Sequence, residues 1–129
     1  MPASLVNVPF GELRSLVAKT LAENPTKKVY VYAYASNDPA TCVSWCPDCV
    51  RAGPIVHERF QKLENAVVLE AATGDRPTWK DPANIYRTDE VIALTAVPTL
   101  IQWTQDGPKA RLVENECEDA AKLDAFFKQ

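Results

Sequence analysis

Two cysteines separated by two residues carry the chemistry that this chain suggests. Cys46 and Cys49 enclose Pro47 and Asp48, and Trp45 precedes them. Three positions are about one helical turn, so the two sulfurs lie close enough to form a disulfide if a helix begins at Cys46. Pro47 then occupies the first helical position, where its missing N–H costs no hydrogen bond.

The two thiols have different predicted environments. Cys46 faces unpaired backbone N–H groups and the positive end of the helix dipole, which favour its thiolate. Cys49 is more sheltered and can attack a mixed disulfide that Cys46 has formed. Asp48 has two opposing effects, because it stabilises the first helical turn but its charge opposes a thiolate beside it. The spacing therefore predicts dithiol–disulfide exchange.

Two other classes of function remain open at this point. Cys42, Cys46 and Cys49, with His57 or Cys117 as a fourth ligand, supply the thiolates and imidazole of a zinc site. A second paired ligand unit is missing, however, so we predict no metal. The third class is a redox-inactive module that binds a partner through the same groove, and the presence of both thiols argues against it.

Length and charge exclude several classes of protein. The chain has 129 residues, which predicts one domain over residues 1–129. A net charge of −3 and a pI near 5.1 give no basic surface for nucleic acid. The N-terminus lacks the pattern of a secretory signal, and the longest apolar stretch, Val29–Ala35, is too short to span a bilayer. We therefore expect a soluble, cytoplasmic and monomeric protein.

The elements that must position the cysteines follow from hydrophobic periodicity. We predict, in order, a helix over Phe10–Glu23, a strand over Val29–Ala35, a helix from Cys46, a strand over Ala66–Ala72, a hairpin of Thr99–Trp103 with Lys109–Val113, and a helix over Asp119–Lys128. Pro54 is expected to kink the second helix or to end its first part. The segment from Gly74 to about Arg87 is Pro-rich and polar, and a short helix is predicted to follow it toward Ile92.

This order predicts an α/β fold, with a mixed central sheet and helices on both faces. Val29–Ala35 is apolar on both faces, as expected of a central strand. The cysteine pair then lies at the carboxyl end of that strand, where open α/β sheets usually bind ligands.

Several motifs resemble one family within the thioredoxin fold. Cys-x-x-Cys after a strand, Pro54, and a later Val97-Pro98-Thr99 before a hairpin resemble thioredoxins in general. The chain is similar to thioredoxin domain-containing protein 17, also called the 14-kDa thioredoxin-related protein, and to the Clot-like proteins. The blocks that carry this similarity are Ser44–Val50, Trp79–Pro82, Thr95–Leu100 and Val113–Cys117, with Asn37–Pro39 and Gly74–Trp79 for the Clot-like members.

The resemblance implies a cytosolic disulfide reductase that carries no cofactor and is recharged by an NADPH-dependent thioredoxin reductase. Its expected substrates are small disulfides such as cystine and a few protein disulfides. Cys46 is then the nucleophile, Cys49 the resolving thiol and Pro98 a cis-proline. The residues expected to support this site are Trp45, Pro47, Asp48, Val97 and Thr99.

One departure from ordinary thioredoxins leaves a step open. Ala33 occupies the place of a buried acid, so another group must take the proton from Cys49. Asp48 is the nearest candidate in sequence.

Other chemically active residues have ordinary interpretations. Cys42 is a loop thiol that permits a regulatory disulfide, and Cys117 is structural. His57 lies about three turns from Cys46 on the following helix, so we expect it to be a surface or core-edge residue rather than a base. Trp79 anchors its loop or faces the substrate, and the loop from Thr41 to Ser44 narrows access to the site. Three cations either add positive charge near the site or form a solvated surface: Arg76, Lys80 and Arg87.

Overall fold

A five-stranded mixed sheet forms the centre of the computed structural model, which describes residues 3–38, 40–41 and 43–128. The strands are β1 (Ser4–Val8), β2 (Lys28–Tyr34), β3 (Ala66–Ala72), β4 (Thr99–Thr104) and β5 (Gly107–Val113). Their order across the sheet is β1-β3-β2-β4-β5. β1, β3 and β2 are parallel, whereas β4 is antiparallel to β2 and to β5. The predicted mixed sheet and its hairpin are confirmed.

Strand β2 is buried on both faces. Val29, Val31 and Ala33 belong to one hydrophobic cluster, and Tyr30 and Tyr32 belong to the other. Each of the five is at most 2% exposed. Successive side chains of a strand point to opposite faces, so this alternation places one apolar layer on each side.

Helices cover both layers. The helices are α1 (Leu13–Glu23), α2 (Pro47–Lys62), α3 (Arg76–Lys80), α4 (Ile85–Thr88) and α5 (Ala120–Lys128), and a 3₁₀ helix spans Glu114–Glu118. α1, α3 and α4 contribute to the cluster of Val31, and α2 and α5 to the cluster of Tyr30. The arrangement confirms the predicted α/β thioredoxin fold. Among the described residues, no helix is both long and apolar enough to cross a bilayer.

The beginning of the chain differs from the prediction. The first helix begins at Leu13 rather than Phe10, because Gly11 has a φ of 85°, which is incompatible with a right-handed helix. Strand β1 was not predicted. It is only five residues long, and its partner β3 lies far along the chain, so no local pattern marks the pairing.

Helix α2 continues through Pro54, so the expectation that this proline ends part of the helix is wrong. Pro54 is exposed, whereas Ala52, Val56 and Phe60 are buried against the sheet on both sides of it. The carbonyl that loses its N–H partner therefore faces water, which satisfies it without breaking the helix.

The Pro-rich segment after β3 contains the short helices α3 and α4, because two polar side chains cap them. The Asp75 carboxylate accepts the Thr78 N–H at 3.0 Å and begins α3. The Asn84 side chain accepts the Tyr86 N–H at 2.9 Å and begins α4, and its amide donates to the carbonyls of Thr73 and Thr78. The short helix predicted toward Ile92 is α4, which ends earlier, at Thr88.

Substitution of Gly74 by alanine is expected to destabilise the fold more than the same change at Gly107. Both glycines have a φ of 111°, so alanine costs about 1–3 kcal/mol of backbone strain at either site. At Gly74 the new methyl also lies 2.6 Å from Thr78 Cγ2, whereas Gly107 has nothing within 4 Å. Urea unfolding of both variants measures the difference, and equal losses would contradict the proposed clash.

Candidate active site

The amino end of α2 is fixed at the carboxyl end of β2. Cys46 is the N-cap of α2, with extended backbone angles, and Pro47 takes the first helical position as predicted. The Ser44 hydroxyl donates to the Ala35 carbonyl at 2.9 Å and accepts the Cys46 N–H at 3.3 Å. One side chain thus joins the end of the strand to the start of the helix.

The two predicted redox cysteines are free thiols that lie together at this end. The Cys46 thiol is 3.8 Å from the Val97 carbonyl, and the Cys49 sulfur accepts the Ala35 N–H at 3.4 Å. Cys46 is 7% exposed and Cys49 is 5% exposed. Burial raises the pKa of Cys49 to about 12, although the Ala35 N–H opposes the shift. Cys49 therefore holds its proton at neutral pH and has to lose it before it can attack.

The segment before β4 faces Cys46. The Val97–Pro98 peptide bond is cis, as the resemblance implies, and the Thr99 hydroxyl donates to the Ala96 carbonyl at 2.7 Å. The Cys117 thiol is fully buried below this segment, 3.8 Å from the Pro98 carbonyl. Its burial raises the pKa of Cys117 to about 12, which agrees with a structural role.

An open cleft of about 370 Å³ lies in front of Cys46. Trp45 forms one wall, and its indole N–H donates to the Gly74 carbonyl at 3.1 Å. Trp79 lines the opposite part but is only 3% exposed, so it anchors the α3 segment and presents an edge to the cleft. Asp48, Val97 and Glu114 also line the cleft.

The lining of the cleft carries more positive than negative charge, although the whole chain is acidic, because three cations outnumber the two carboxylates of Asp48 and Glu114. Arg76, Lys80 and Arg87 all line it, so these three cations lie at the site and do not form a remote solvated surface. The Arg76 guanidinium lies 5.3 Å from the Trp45 ring centre, and that of Arg87 lies 3.9 Å from the Trp79 ring centre.

One of these cations is partly engaged by the protein, because the Arg87 Nε–H donates to the Trp79 carbonyl at 2.7 Å. Among the described residues, none of the three forms an ion pair with a carboxylate. Asp48, on the same cleft, is instead paired with Arg51, which also contacts Glu118 at 3.1 Å. The cleft therefore attracts negatively charged groups.

The alternative zinc site does not assemble in the described part of the chain, where no three His, Cys, Asp or Glu side chains are arranged to hold a metal ion. His57 is directed to Glu70, and Cys117 is buried below Pro98. Cys42 lies outside the described residues, so its proposed regulatory disulfide stays a prediction.

Sequence reasoning missed one charged residue near the cysteines. Glu70 of β3 lines a second cavity, which Cys49 also lines and Cys46 does not. The available signal was a single acidic residue inside the apolar strand Ala66–Ala72. A carboxylate in a buried strand generally has a partner, and here the partner is His57.

Sequence comparisons identify the family to which this chain is related. A family model described as thioredoxin domain-containing protein 17-like, thioredoxin domain, matches residues 10–129. The thioredoxin-like protein Clot of Arabidopsis thaliana is 43% identical over 88 residues, which cover 67% of this chain and 66% of that protein. Thioredoxin domain-containing protein 17 of Mus musculus is 36% identical over 112 residues, which cover 86% of each chain.

Solved structures of thioredoxins have the same fold. Oxidised thioredoxin O1 of Arabidopsis thaliana superposes with a TM-score of 0.63 at 21% identity, covering 98% of this chain and 96% of that one. Spinach chloroplast thioredoxin f gives a TM-score of 0.65 at 10% identity, covering 98% and 88%. At these identities the likeness concerns the fold alone.

Brief alkylation near neutral pH is expected to label Cys46 and to spare Cys49 and Cys117. All three thiols are buried, but Cys46 lines the substrate cleft, whereas burial raises the pKa values of Cys49 and Cys117 to about 12. Peptide mapping by mass spectrometry after iodoacetamide treatment measures the order, in a Cys42→Ser background that removes the loop thiol. Equal labelling of Cys46 and Cys49 in the folded protein would contradict this order.

Proposed function

The chain belongs to the thioredoxin domain-containing protein 17-like family, a thioredoxin-like family of thiol oxidoreductases, and from this membership we propose that it reduces disulfides with Cys46 and Cys49. The observation that carries the proposal is the position of the two thiols. Cys46 caps α2 at an open cleft, and Cys49 lies one turn behind it on the same helix. Only the outer thiol is placed to meet a substrate.

The proposed reaction has two exchange steps. The Cys46 thiolate attacks one sulfur of the substrate, so a mixed disulfide forms and the first substrate thiolate leaves. Cys49 then loses its proton and attacks the Cys46 sulfur. The mixed disulfide breaks, the second thiolate leaves, and a Cys46–Cys49 disulfide remains. Two electrons have passed from the cysteine pair to the substrate.

The cleft favours small disulfides that carry carboxylates, as cystine does. Its volume of about 370 Å³ suits a small molecule, although its open side also admits an exposed disulfide of a few proteins. Guanidinium and ammonium groups bind carboxylates through charge-assisted hydrogen bonds. Arg76, Lys80 and Arg87 lie around the cleft without carboxylate partners among the described residues, so substrate carboxylates are expected to bind there.

We propose that an NADPH-dependent thioredoxin reductase in the cytoplasm reduces the Cys46–Cys49 disulfide back to the dithiol. The chain itself is proposed to carry no cofactor. Thioredoxin f2 in complex with ferredoxin:thioredoxin reductase is among the structures similar to this one, with a TM-score of 0.64 and 16% identity. That complex supports docking of a reductase as a use of this fold. A reducing compartment also keeps the Cys46–Cys49 pair available as a dithiol.

Cystine-dependent oxidation of NADPH is expected when the protein is combined with thioredoxin reductase. Cys46→Ser should abolish the turnover because the attacking sulfur is lost. Insulin should be reduced more slowly, because its disulfides lack the free α-carboxylates that the cleft cations would bind in cystine. Absorbance of NADPH follows both reactions, and the comparison measures how far the enzyme prefers a small disulfide that carries carboxylates.

The controls distinguish a disulfide reductase from a redox-inactive binding module and from a zinc site. Cys117→Ser, which changes a buried thiol away from the cleft, should retain turnover if the variant is folded. Absence of turnover with a folded, reduced protein and several thiol donors would contradict the reductase and favour a binding module. Stoichiometric zinc in that sample would identify a metal site.

Removal of two cleft charges is expected to weaken selection for carboxylates. In Arg76→Gln/Lys80→Gln, kcat/KM for cystine should fall by about tenfold, because two exposed cations each contribute up to about 1 kcal/mol. Cystamine, the same disulfide without carboxylates, should be unaffected or faster.

The matched control removes two cations far from the cleft, as Lys19→Gln/Lys27→Gln. It has the same net charge as the test variant and should leave the ratio of cystine to cystamine activity unchanged. An equal fall for both substrates in the test variant would argue against carboxylate binding.

A further inference from the structure

A second cavity, of about 390 Å³, lies beside Cys49 and away from the substrate cleft. Cys49, Gly53 and His57 line it from one face of α2, Tyr32 lines it from β2, and Glu70 from β3. The substrate cleft is lined by Cys46 and not by these residues. The cavity therefore belongs to the resolving thiol, whose proton has to leave during the second exchange step.

The cavity contains one histidine–carboxylate pair, His57 and Glu70. His57 Nε2 contacts the Glu70 carboxylate, and His57 Nδ1 lies 2.7 Å from the Gly53 carbonyl. A carbonyl only accepts hydrogen bonds, so Nδ1 carries a proton in both charge states of the ring. Nε2, which faces Glu70, is then the atom that gains or loses the second proton.

The other groups near Cys49 are unsuited to accept its proton. Ala33 has no functional group, and the Asp48 carboxylate lies on the substrate cleft, where it is paired with Arg51. Tyr32 and Tyr34 face the cavity, but burial raises the pKa of each, so both remain neutral. Asp48, the proton acceptor suggested by the sequence, is therefore less well placed than the His57–Glu70 pair.

We propose that the His57–Glu70 pair receives the proton of Cys49 when Cys49 attacks the mixed disulfide. The inference rests on the reductase function proposed above. In this step the S–H bond of Cys49 breaks and the proton passes through cavity water to the pair. It is then held between Nε2 and the Glu70 carboxylate. The Cys49–Cys46 bond forms, and the substrate thiolate leaves with the electron pair.

The proton of Cys49 has to cross several ångströms to reach the His57–Glu70 pair, so water must carry it. Gly53 keeps this path open because it has no side chain. Cys49 and His57 are eight residues apart on α2, about 12 Å along the axis at 1.5 Å per residue. Gly53 lies midway on the same face, and a side-chain carbon placed there would have no neighbour within 4 Å. A cavity of this volume holds several waters.

Register and ring contacts place Tyr32 beside this path. Tyr32 pairs with Glu70 across the parallel strands β2 and β3, and its ring meets the His57 ring edge-on at 5.8 Å. Negative charge on either Cys49 or Glu70 raises the pKa of Tyr32, so its hydroxyl lies within the field of both groups. A neutral tyrosine hydroxyl both donates and accepts, which suits a hydrogen-bonded chain.

The direction of the pH effect follows from the His57 pKa. The hydrogen bond to Glu70, together with the Gly53 carbonyl, raises the pKa of His57 above its ordinary value, against burial, which lowers it. Above that pKa, Nε2 is free to take a proton; below it, Nε2 is already protonated. The resolving step should therefore become faster as pH rises through the His57 pKa.

The test separates the two exchange steps by stopped-flow mixing of the reduced protein with dithiobis(nitrobenzoic acid). Each step releases one coloured nitrobenzoate thiolate. At high reagent concentration attack by Cys46 is the faster phase, and the slower, concentration-independent phase reports resolution by Cys49. His57 is the single histidine of the chain, so proton NMR gives its pKa without assignment.

We expect the slow phase of the wild type to have an inflection at the NMR pKa of His57. His57→Gln should remove the inflection and slow this phase by about tenfold or more at pH above it, since general base catalysis usually contributes at least that much. Glu70→Gln should move both the inflection and the NMR pKa to lower pH together. A merely structural role for either residue would not move the two values in parallel.

Gly53→Leu tests the path without changing either titrating group. A leucine side chain in the cavity should slow the second phase and leave the first phase unchanged. The Cys49→Ser variant releases a single thiolate and identifies the first phase.

The outcomes distinguish this inference from the proposed function. A rapid first phase with a second phase that is unaffected by His57→Gln, Glu70→Gln and Gly53→Leu would overturn the proton acceptor and leave the reductase intact. Absence of the first phase in the folded, reduced wild type would instead overturn the reductase.

Discussion

The site depends on the junction between the end of β2 and the start of α2. The Ser44 hydroxyl bonds both the Ala35 carbonyl and the Cys46 N–H, and the Ala35 N–H bonds the Cys49 sulfur. These three contacts hold both thiols at the edge of the sheet, where one of them meets the cleft. Because β2 is buried on both faces, this edge has little freedom to move.

The two cysteines lie between two spaces of different chemistry. The cleft before Cys46 is lined by cations and by indole rings, which suits an incoming anionic group. The cavity beside Cys49 contains the His57–Glu70 pair and tyrosine hydroxyls, which suits proton movement. The division arises because Cys46 precedes α2 as its N-cap and lines the cleft, whereas Cys49 lies within the first turn of α2 and lines the cavity. In the proposed reaction the substrate therefore enters through the cleft before Cys46, and the proton of Cys49 leaves through the cavity beside Cys49.

Much of the fold was predictable because its signals are local. The alternation in β2, the Asp106-Gly107 turn between β4 and β5 and the proline after Cys46 each act within a few residues. Strand β1 and helix α3 were missed for different reasons. β1 is defined by a distant partner, whereas α3 has a local cap, Asp75, that a Pro-rich composition obscured.

The sequence by itself determined the dithiol, its place at a helix start and the apolar layers around β2, because each depends on the spacing of neighbouring residues. Tertiary structure alone decided which charges reach the thiols. Arg76 and Arg87 come to Cys46 because caps and buried rings fix α3 and α4 against the sheet. Glu70 meets His57 because the crossover from α2 to β3 sets two distant residues side by side, and no local pattern encodes that distance.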